Sequence, residues 1–208
     1  LRGADDEILS GYGWVFPLAD GTVNIGVGTL ATARRPADVR LRTVLEHYTE
    51  SQRASWGLTG GVRHTSSALL PMGGAVSGVA GANWVLVGDA AGCVNPLNGE
   101  GIDYGLETGR LAAELFAAGD DTRHWPHVLA TQYGASFAIA RRLAGILTWP
   151  HLLTAAGPWG MRSRSLMKIA LRLMGNLVTE EDTDTVARAW RTVGRYTAAV
   201  KPRPPFSA

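Results

Sequence analysis

Cysteine is all but missing from this 208-residue chain. Cys93 stands alone, which excludes an internal disulfide and any metal cluster built on several thiolates. Lysine is scarce as well, with only Lys168 and Lys201 among twenty basic residues, so arginine carries almost all of the positive charge. The G-x-G-x-x-G turn that opens a dinucleotide-binding domain is absent. Its nearest approach, Gly26-x-Gly28, lies late in a predicted hairpin strand and lacks the third glycine and the helix. The first ten residues are poor in apolar side chains and hold Asp5, Asp6 and Glu7, so no secretory leader is expected there. The chain does not begin with methionine, and it reads as the C-terminal half of something longer.

What is present is the composition of an ordinary globular protein, 46% hydrophobic and 18% charged, long enough to bury about 70% of its unfolded surface. The informative stretch is Trp84 to Leu106. Trp84-Val85-Leu86-Val87 is a short apolar run that predicts a strand buried on both faces of an α/β sheet, ending at Gly88. Asp89 then stands where such a strand ends, placed to accept hydrogen bonds from a ligand hydroxyl. Gly92, Pro96, Gly99 and Gly101 follow, residues that let backbone turn tightly and approach a ligand. A helical pattern starts near Gly101, runs through Ile102, Leu106, Leu111 and Leu115, and ends near Gly119. Its free N–H groups are expected to face the same crevice.

The spacing Gly88-Asp89-Ala90-Ala91-Gly92, Pro96, Gly99-Glu100-Gly101-Ile102 resembles the second flavin-binding motif of the FAD-dependent geranylgeranyl reductase family, within the flavoprotein group that includes the aromatic hydroxylases. That resemblance implies FAD as cofactor. It places Gly88, Asp89, Ala90 and Gly92 along the cofactor chain, and Pro96, Gly99, Glu100, Gly101 and Ile102 against its ring. The hydroxylases typically carry histidine where this chain has Gly92, and often Gln where it has Glu100. Glu100 has two open roles, orienting the loop or supplying a proton, and no catalytic residue is assigned. Cys93, inside the loop, reads as a small buried filler in preference to a redox group.

Upstream, Gly11 to Leu18 alternates so that Tyr12, Trp14 and Phe16 share one face, and Asp20-Gly21 predicts a two-residue turn. The return strand Thr22 to Thr29 puts Val23, Ile25 and Val27 on one face and Asn24, Gly26 and Gly28 on the other. Tyr12, Trp14, Phe16 and Pro17 are similar to the Tyr-x-Trp-x-Phe-Pro motif of the same reductases, which implies that they line a prenyl substrate site. Pro36 is expected to open a helix whose apolar positions include Val39, Val44 and Tyr48, packed on the back of the hairpin. Gly60 to Leu70 predicts a further strand, with Pro71 returning the chain toward the cofactor. His64 and Arg63 within it read as surface or structural.

The last third changes sign. Residues 1–140 carry a balance of −5 and residues 141–208 one of +7. Leu143 to Met161 holds no formal charge and is bracketed by Arg141, Arg142, Arg162 and Arg164, yet Pro150, Pro158 and three glycines oppose a continuous spanning helix. Trp149 and Trp159 suit an interface, and Met161 to Val178 predicts an arginine-flanked amphipathic helix. Peripheral attachment to the inner face of a membrane and simple packing of these helices stay open beside each other. Nucleic acid is not expected as a partner, because the basic residues are interleaved with apolar ones. The Lys201 to Pro205 tail is expected to be extended and exposed.

The expected fold class is α+β with α/β character: part of a substrate-binding domain over residues 1–75, the C-terminal part of an FAD-binding domain over 76–120, and a helical region over 121–208. The resemblance implies a cytoplasmic reductase that saturates isoprenoid double bonds with hydride from reduced FAD, its electron donor left open. The substrates that the resemblance implies are geranylgeranyl diphosphate, geranylgeranyl chlorophyll, archaeal ether lipids and the side chain of menaquinone, and the arginine-, alanine- and glycine-rich composition, typical of a GC-rich bacterial genome, puts menaquinone first among them. Two alternatives remain: a flavin monooxygenase of the aromatic-hydroxylase type, and a non-catalytic membrane or interaction module.

Overall fold

The computed structural model describes residues 1–3, 5–32, 39–149, 155, 160, 162–174, 178, 182–199 and 205–206. The chain divides into two compact units, Leu1–Ala68 with Leu147–Leu153, and Leu69–Ile146 with Thr154–Ala208. Its class is α+β: five helices and one two-stranded antiparallel sheet among the described residues.

In the first unit β1 (Gly11–Pro17) pairs with β2 (Val23–Thr29), Trp14 opposite Gly26 and Phe16 opposite Asn24. The connection is longer than the two residues that Asp20-Gly21 suggested. Leu18 N–H donates to Thr22 O at 2.9 Å, leaving a three-residue loop in which Gly21 takes a left-handed φ of 80°. The Asp20 carboxylate accepts the Thr22 N–H and hydroxyl at 2.9 and 2.6 Å, which fixes the loop and holds its pKa below the ordinary carboxylate value. Gly13 lies directly against the Tyr48 ring of α1 (Leu41–Trp56), so this helix packs on the face of the hairpin opposite the aromatic stripe, as expected. Pro36 lies outside the described residues. The strand expected over Gly60 to Leu70 does not form. Those residues are irregular and exposed, Leu69 completely, and a run with no paired neighbour cannot satisfy its backbone as a strand.

The second unit is built around α2 (Ile102–Ala118) and α3 (Trp125–Leu147), joined by a short 3₁₀ turn, Thr122–His124. Tyr104, Ala112 and Leu115 of α2 pack with Trp125, Leu129, Tyr133 and Phe137 of α3 in the main core. Trp125 is fully buried and its indole N–H donates to Leu86 O at 2.7 Å. Two shorter helices follow, α4 (Arg164–Met174) and α5 (Thr185–Ala199). The amphipathic pattern of Met161 to Val178 is thus realised over its middle, while Met161, 175–177, most of 150–159 including Trp159, and 201–204 lie outside the described residues. Pro205 and Phe206 are buried, against the expectation of an exposed tail. Phe206 N–H donates to Gly74 O at 3.0 Å and its ring sits 5.9 Å from that of Phe137. Among the described residues no helix is long and apolar enough to cross a membrane.

Trp84 to Val87 is not a buried strand. It makes one isolated bridge, Ala80 to Val85, and leaves Trp84 and Val87 exposed. A doubly covered strand needs paired neighbours along both edges and helices on both faces, and among the described residues its backbone pairs only with the antiparallel segment at Val79–Gly81. The face of α2 also differs from the sequence pattern. Over its first two turns Ile102 and Leu106 are 80% and 75% exposed while Tyr104 and Thr108 are buried; further along, Leu115 is buried and Leu111 packs on the core, in keeping with the pattern. Thr108 joins helix to loop: its hydroxyl accepts the Gly88 N–H at 2.9 Å and donates to Tyr104 O at 2.6 Å, all within the core. Thr108→Val keeps the shape but leaves a buried N–H without an acceptor. It should lower unfolding free energy by about 1–3 kcal/mol in denaturant titration.

Candidate functional site

Residues 88–101 form one hydrogen-bonded loop. Gly88–Ala91 is a 3₁₀ turn, closed by Gly92 N–H donating to Asp89 O and Cys93 N–H to Gly88 O, both at 2.9 Å. The return segment beyond Pro71 braces it, Gly73 N–H donating to Val94 O at 2.8 Å and Gly74 N–H to Gly92 O at 2.9 Å. A second ring closes between Asn95 and Glu100, with Asn95 N–H to Glu100 O at 2.8 Å and Gly99 N–H to Asn95 O at 2.9 Å. Inside it the Asn95 and Asn98 side chains accept the N–H groups of Leu97 and Glu100, each at 2.9 Å. Gly99 has a φ of 72°, a left-handed turn that a side chain would strain.

This bracing buries Ala91 to Pro96 and leaves an open ledge of Asp89, Ala90, Gly99, Glu100, Gly101 and Ile102. A Cβ placed on Gly101 would lie 2.7 Å from Asp89 Oδ1, so the carboxylate rests directly on bare backbone at the start of α2. No donor among the described residues hydrogen-bonds the Asp89 carboxylate, and it is open to solvent. Glu100 has a different task. Its Oε1 accepts the Ile102 N–H at 2.7 Å and the Asp103 N–H at 3.4 Å, capping α2 from one residue outside the usual position. Burial, with Asp103 beside it, raises the Glu100 pKa above the ordinary carboxylate value. Pro96 is buried beside Gly73 and Arg141. Among the described residues no group of three or more His, Cys, Asp or Glu could hold a metal.

Cys93 is fully buried, and burial together with Asp89 and Glu107 pushes its pKa up to about 12. It is a neutral filler at physiological pH. In the first unit, Tyr12 and Phe16 are exposed, as is Pro17, and Trp14 is half-buried. The three rings form a continuous stripe, Tyr12 to Trp14 at 6.0 Å between centroids and Trp14 to Phe16 at 6.4 Å. The Trp14 ring lies flat over Gly26, where no side chain intervenes, and its N–H donates to Asn24 Oδ1 at 2.8 Å. His64 and Arg63 are exposed in the irregular segment of that unit.

Thr108, Asn95 and Asn98 were not singled out from the sequence, although each organises the loop. The dipeptides Asn95-Pro96 and Asn98-Gly99 carried a legible turn signal. Thr108, a polar residue on the inner face of α2, carried none.

Over its whole length the chain is 62% identical, across 207 residues, to the menaquinone reductase of Mycobacterium tuberculosis (strain ATCC 25618 / H37Rv), covering 51% of that protein. It is 59% identical across 210 residues to the menaquinone reductase of Mycolicibacterium smegmatis, again covering 51%. A more distant match, 30% identity across 154 residues, is to digeranylgeranylglycerophospholipid reductase 2 of Methanopyrus kandleri, over 66% of this chain and 37% of that protein. The chain belongs to the geranylgeranyl reductase family. It spans about half the length of the menaquinone reductases it matches, consistent with the C-terminal portion of such a reductase. No family model and no solved structure matches it.

For this reductase-family chain the state of Cys93 gives a direct check. A thiol with its folded pKa raised contributes stability in full below the unfolded value, 9.0, and that contribution is lost as pH climbs toward about 12. Alkylation of the folded chain should stay slow and nearly flat from about pH 7 to about pH 9, and become fast once denaturant unfolds it.

Proposed function

We propose that the chain is the C-terminal portion of an FAD-dependent reductase that saturates carbon–carbon double bonds of an isoprenoid, with the side chain of menaquinone as substrate. The observation that carries this reading is the ledge itself: an exposed carboxylate with no donor among the described residues, resting on the bare backbone of Gly101 at the start of α2. A ligand hydroxyl can donate to Asp89, and the absence of a Cβ at Gly99 and Gly101 lets a flat ring approach the backbone there. The residues present therefore fit the end of a flavin cofactor, with Gly88, Ala90, Gly92 and Pro96 shaping the support beneath. Bound in its reduced form, FAD would supply the hydride for an alkene.

The chain's own residues then have three tasks. Asp89 and the Gly99–Ile102 backbone hold and orient the cofactor. Glu100 keeps the first N–H groups of α2 satisfied, so that the ledge holds its shape before the cofactor arrives. Tyr12, Trp14, Phe16 and Pro17 offer the isoprenoid a rigid apolar wall. Alignment must come from such walls, since an alkene has no polar handle and each buried methylene contributes about 0.8 kcal/mol without direction. The substrate class is supported by the names of the relatives, which act on menaquinone and on a digeranylgeranyl lipid. Peripheral attachment to a membrane belongs to the same proposal. In α4, Arg164 and Lys168 share a basic side while Leu166, Ile169 and Leu171 stay exposed.

The test uses the chain extended upstream to the length of its relatives, supplied with FAD, a reductant and menaquinone. Mass spectrometry should show a gain of two hydrogens per reduced bond in the side chain, without stoichiometric oxygen uptake. Trp14→Ala should raise KM about tenfold, equivalent to about 1.4 kcal/mol. Incorporation of oxygen into the product would instead identify a monooxygenase and defeat the proposal.

A further inference from the structure

The core side of α3 follows a row of every fourth residue, Trp125, Leu129, Tyr133 and Phe137, all of them buried. The next member of that row is Arg141. Its stem lies against both the return segment and the glycine loop: a Cβ built on Gly73 would meet Pro96 Cγ at 2.6 Å and Arg141 Cγ and Cδ at 2.8 and 3.0 Å. Four of the described arginines are partly buried. Arg53, Arg172 and Arg191 each donate to a carboxylate or a carbonyl, whereas Arg141 has no hydrogen bond or ion pair among the described residues. Burial with no compensating partner lowers its pKa, yet a guanidinium stays charged at any physiological pH.

The loop beside it has the opposite character. Gly88 to Ile102 holds no Lys, Arg or His, and Asp89, Glu100 and Asp103 set carboxylates along the ledge and the first turn of α2. An anion brought to the ledge meets like charge from these groups, offset only by the positive end of α2. A flavin ring is neutral when oxidised. After it takes up two electrons and one proton it carries a negative charge.

We infer that Arg141 supplies the positive charge that favours the reduced, anionic form of the flavin over the oxidised form. The inference rests on the reading that the loop holds FAD, and it adds a residue outside the loop, on α3, that sets the cofactor's reduction potential. Charge near the ring is one of the means by which a protein tunes a flavin, and a partly desolvated cation acts more strongly than one in bulk water. It also accounts for a charged residue in the core row of α3, since local packing rules are broken chiefly at functional positions.

The test uses the chain extended upstream to the length of its relatives and loaded with FAD, its reduction potential read against a reference dye during anaerobic reduction. Arg141→Gln and Arg141→Met keep the stem and remove the charge. Each should weaken reduced FAD about tenfold relative to oxidised FAD, a fall of about 30 mV for a two-electron couple. Arg141→Lys should recover most of that difference, and Arg142→Gln, at the exposed neighbour, should leave the potential unchanged. An unchanged potential in both charge-removing variants would overturn the inference while leaving the flavoprotein reading intact. Equal weakening of both redox forms, or loss of helix by circular dichroism in both variants, would also overturn it by making Arg141 a support of the fold. A parent protein that binds no FAD would remove both the inference and the reading beneath it.

Discussion

The buried Thr108 hydroxyl is the joint on which the second unit depends. It takes the Gly88 N–H and returns its proton to Tyr104 O, so the first residue of the glycine loop and the second turn of α2 are held at one point inside the core. The Gly73 and Gly74 N–H groups brace the far side of the loop, and Phe206 closes over them. With its interior satisfied by these partners, the loop can leave its outer edge bare. On the proposed reading a cofactor meets the bare backbone of Gly99 and Gly101 beside a carboxylate that no donor among the described residues engages.

The two units make different use of glycine. In the loop, Gly101 lets the Asp89 carboxylate lie on main chain at the start of α2. In the hairpin, Gly26 lets the Trp14 indole lie flat across the neighbouring strand, where Asn24 fixes its tilt through the indole N–H. The result is a stripe of rings held in register yet largely open to solvent, an arrangement that costs hydration unless an apolar partner covers it. Tyr12 and Phe16 stay exposed because Gly13 and α1 already occupy the opposite face, and in the proposed reading an isoprenoid covers them.

Local chemistry was legible in the sequence and tertiary context was not. The hairpin, the loop and the extent of α2 were readable because each is dictated by residues close in sequence: alternation in Gly11 to Pro17, turn formers between Gly88 and Gly101, and the stop at Gly119. The loop length at Asp20-Gly21 was misread because the Asp20 carboxylate grips Thr22 and Gly21 bulges, a choice the dipeptide alone does not make. Trp84 to Val87 and Gly60 to Leu70 carry strand-like composition, but a strand exists only through its partners, and those residues have at most a single bridge. The burial of Phe206 likewise depends on Gly74 and Phe137, far away in sequence. At the candidate site the exposed members, Asp89 and Gly99 to Ile102, were visible in the motif. Thr108 was hidden because a single buried threonine has no periodic or compositional signature.

The central claim is that the Gly88–Ile102 ledge cradles a flavin through Asp89. The most direct measurement is the visible absorbance spectrum of the protein extended to the length of its relatives, purified and then incubated with FAD, beside the same protein carrying Asp89→Ala. The account requires a bound-flavin spectrum in the first and its loss in the second, with folding unchanged by circular dichroism. A protein that stays colourless, or one whose flavin spectrum is untouched by Asp89→Ala, would contradict it.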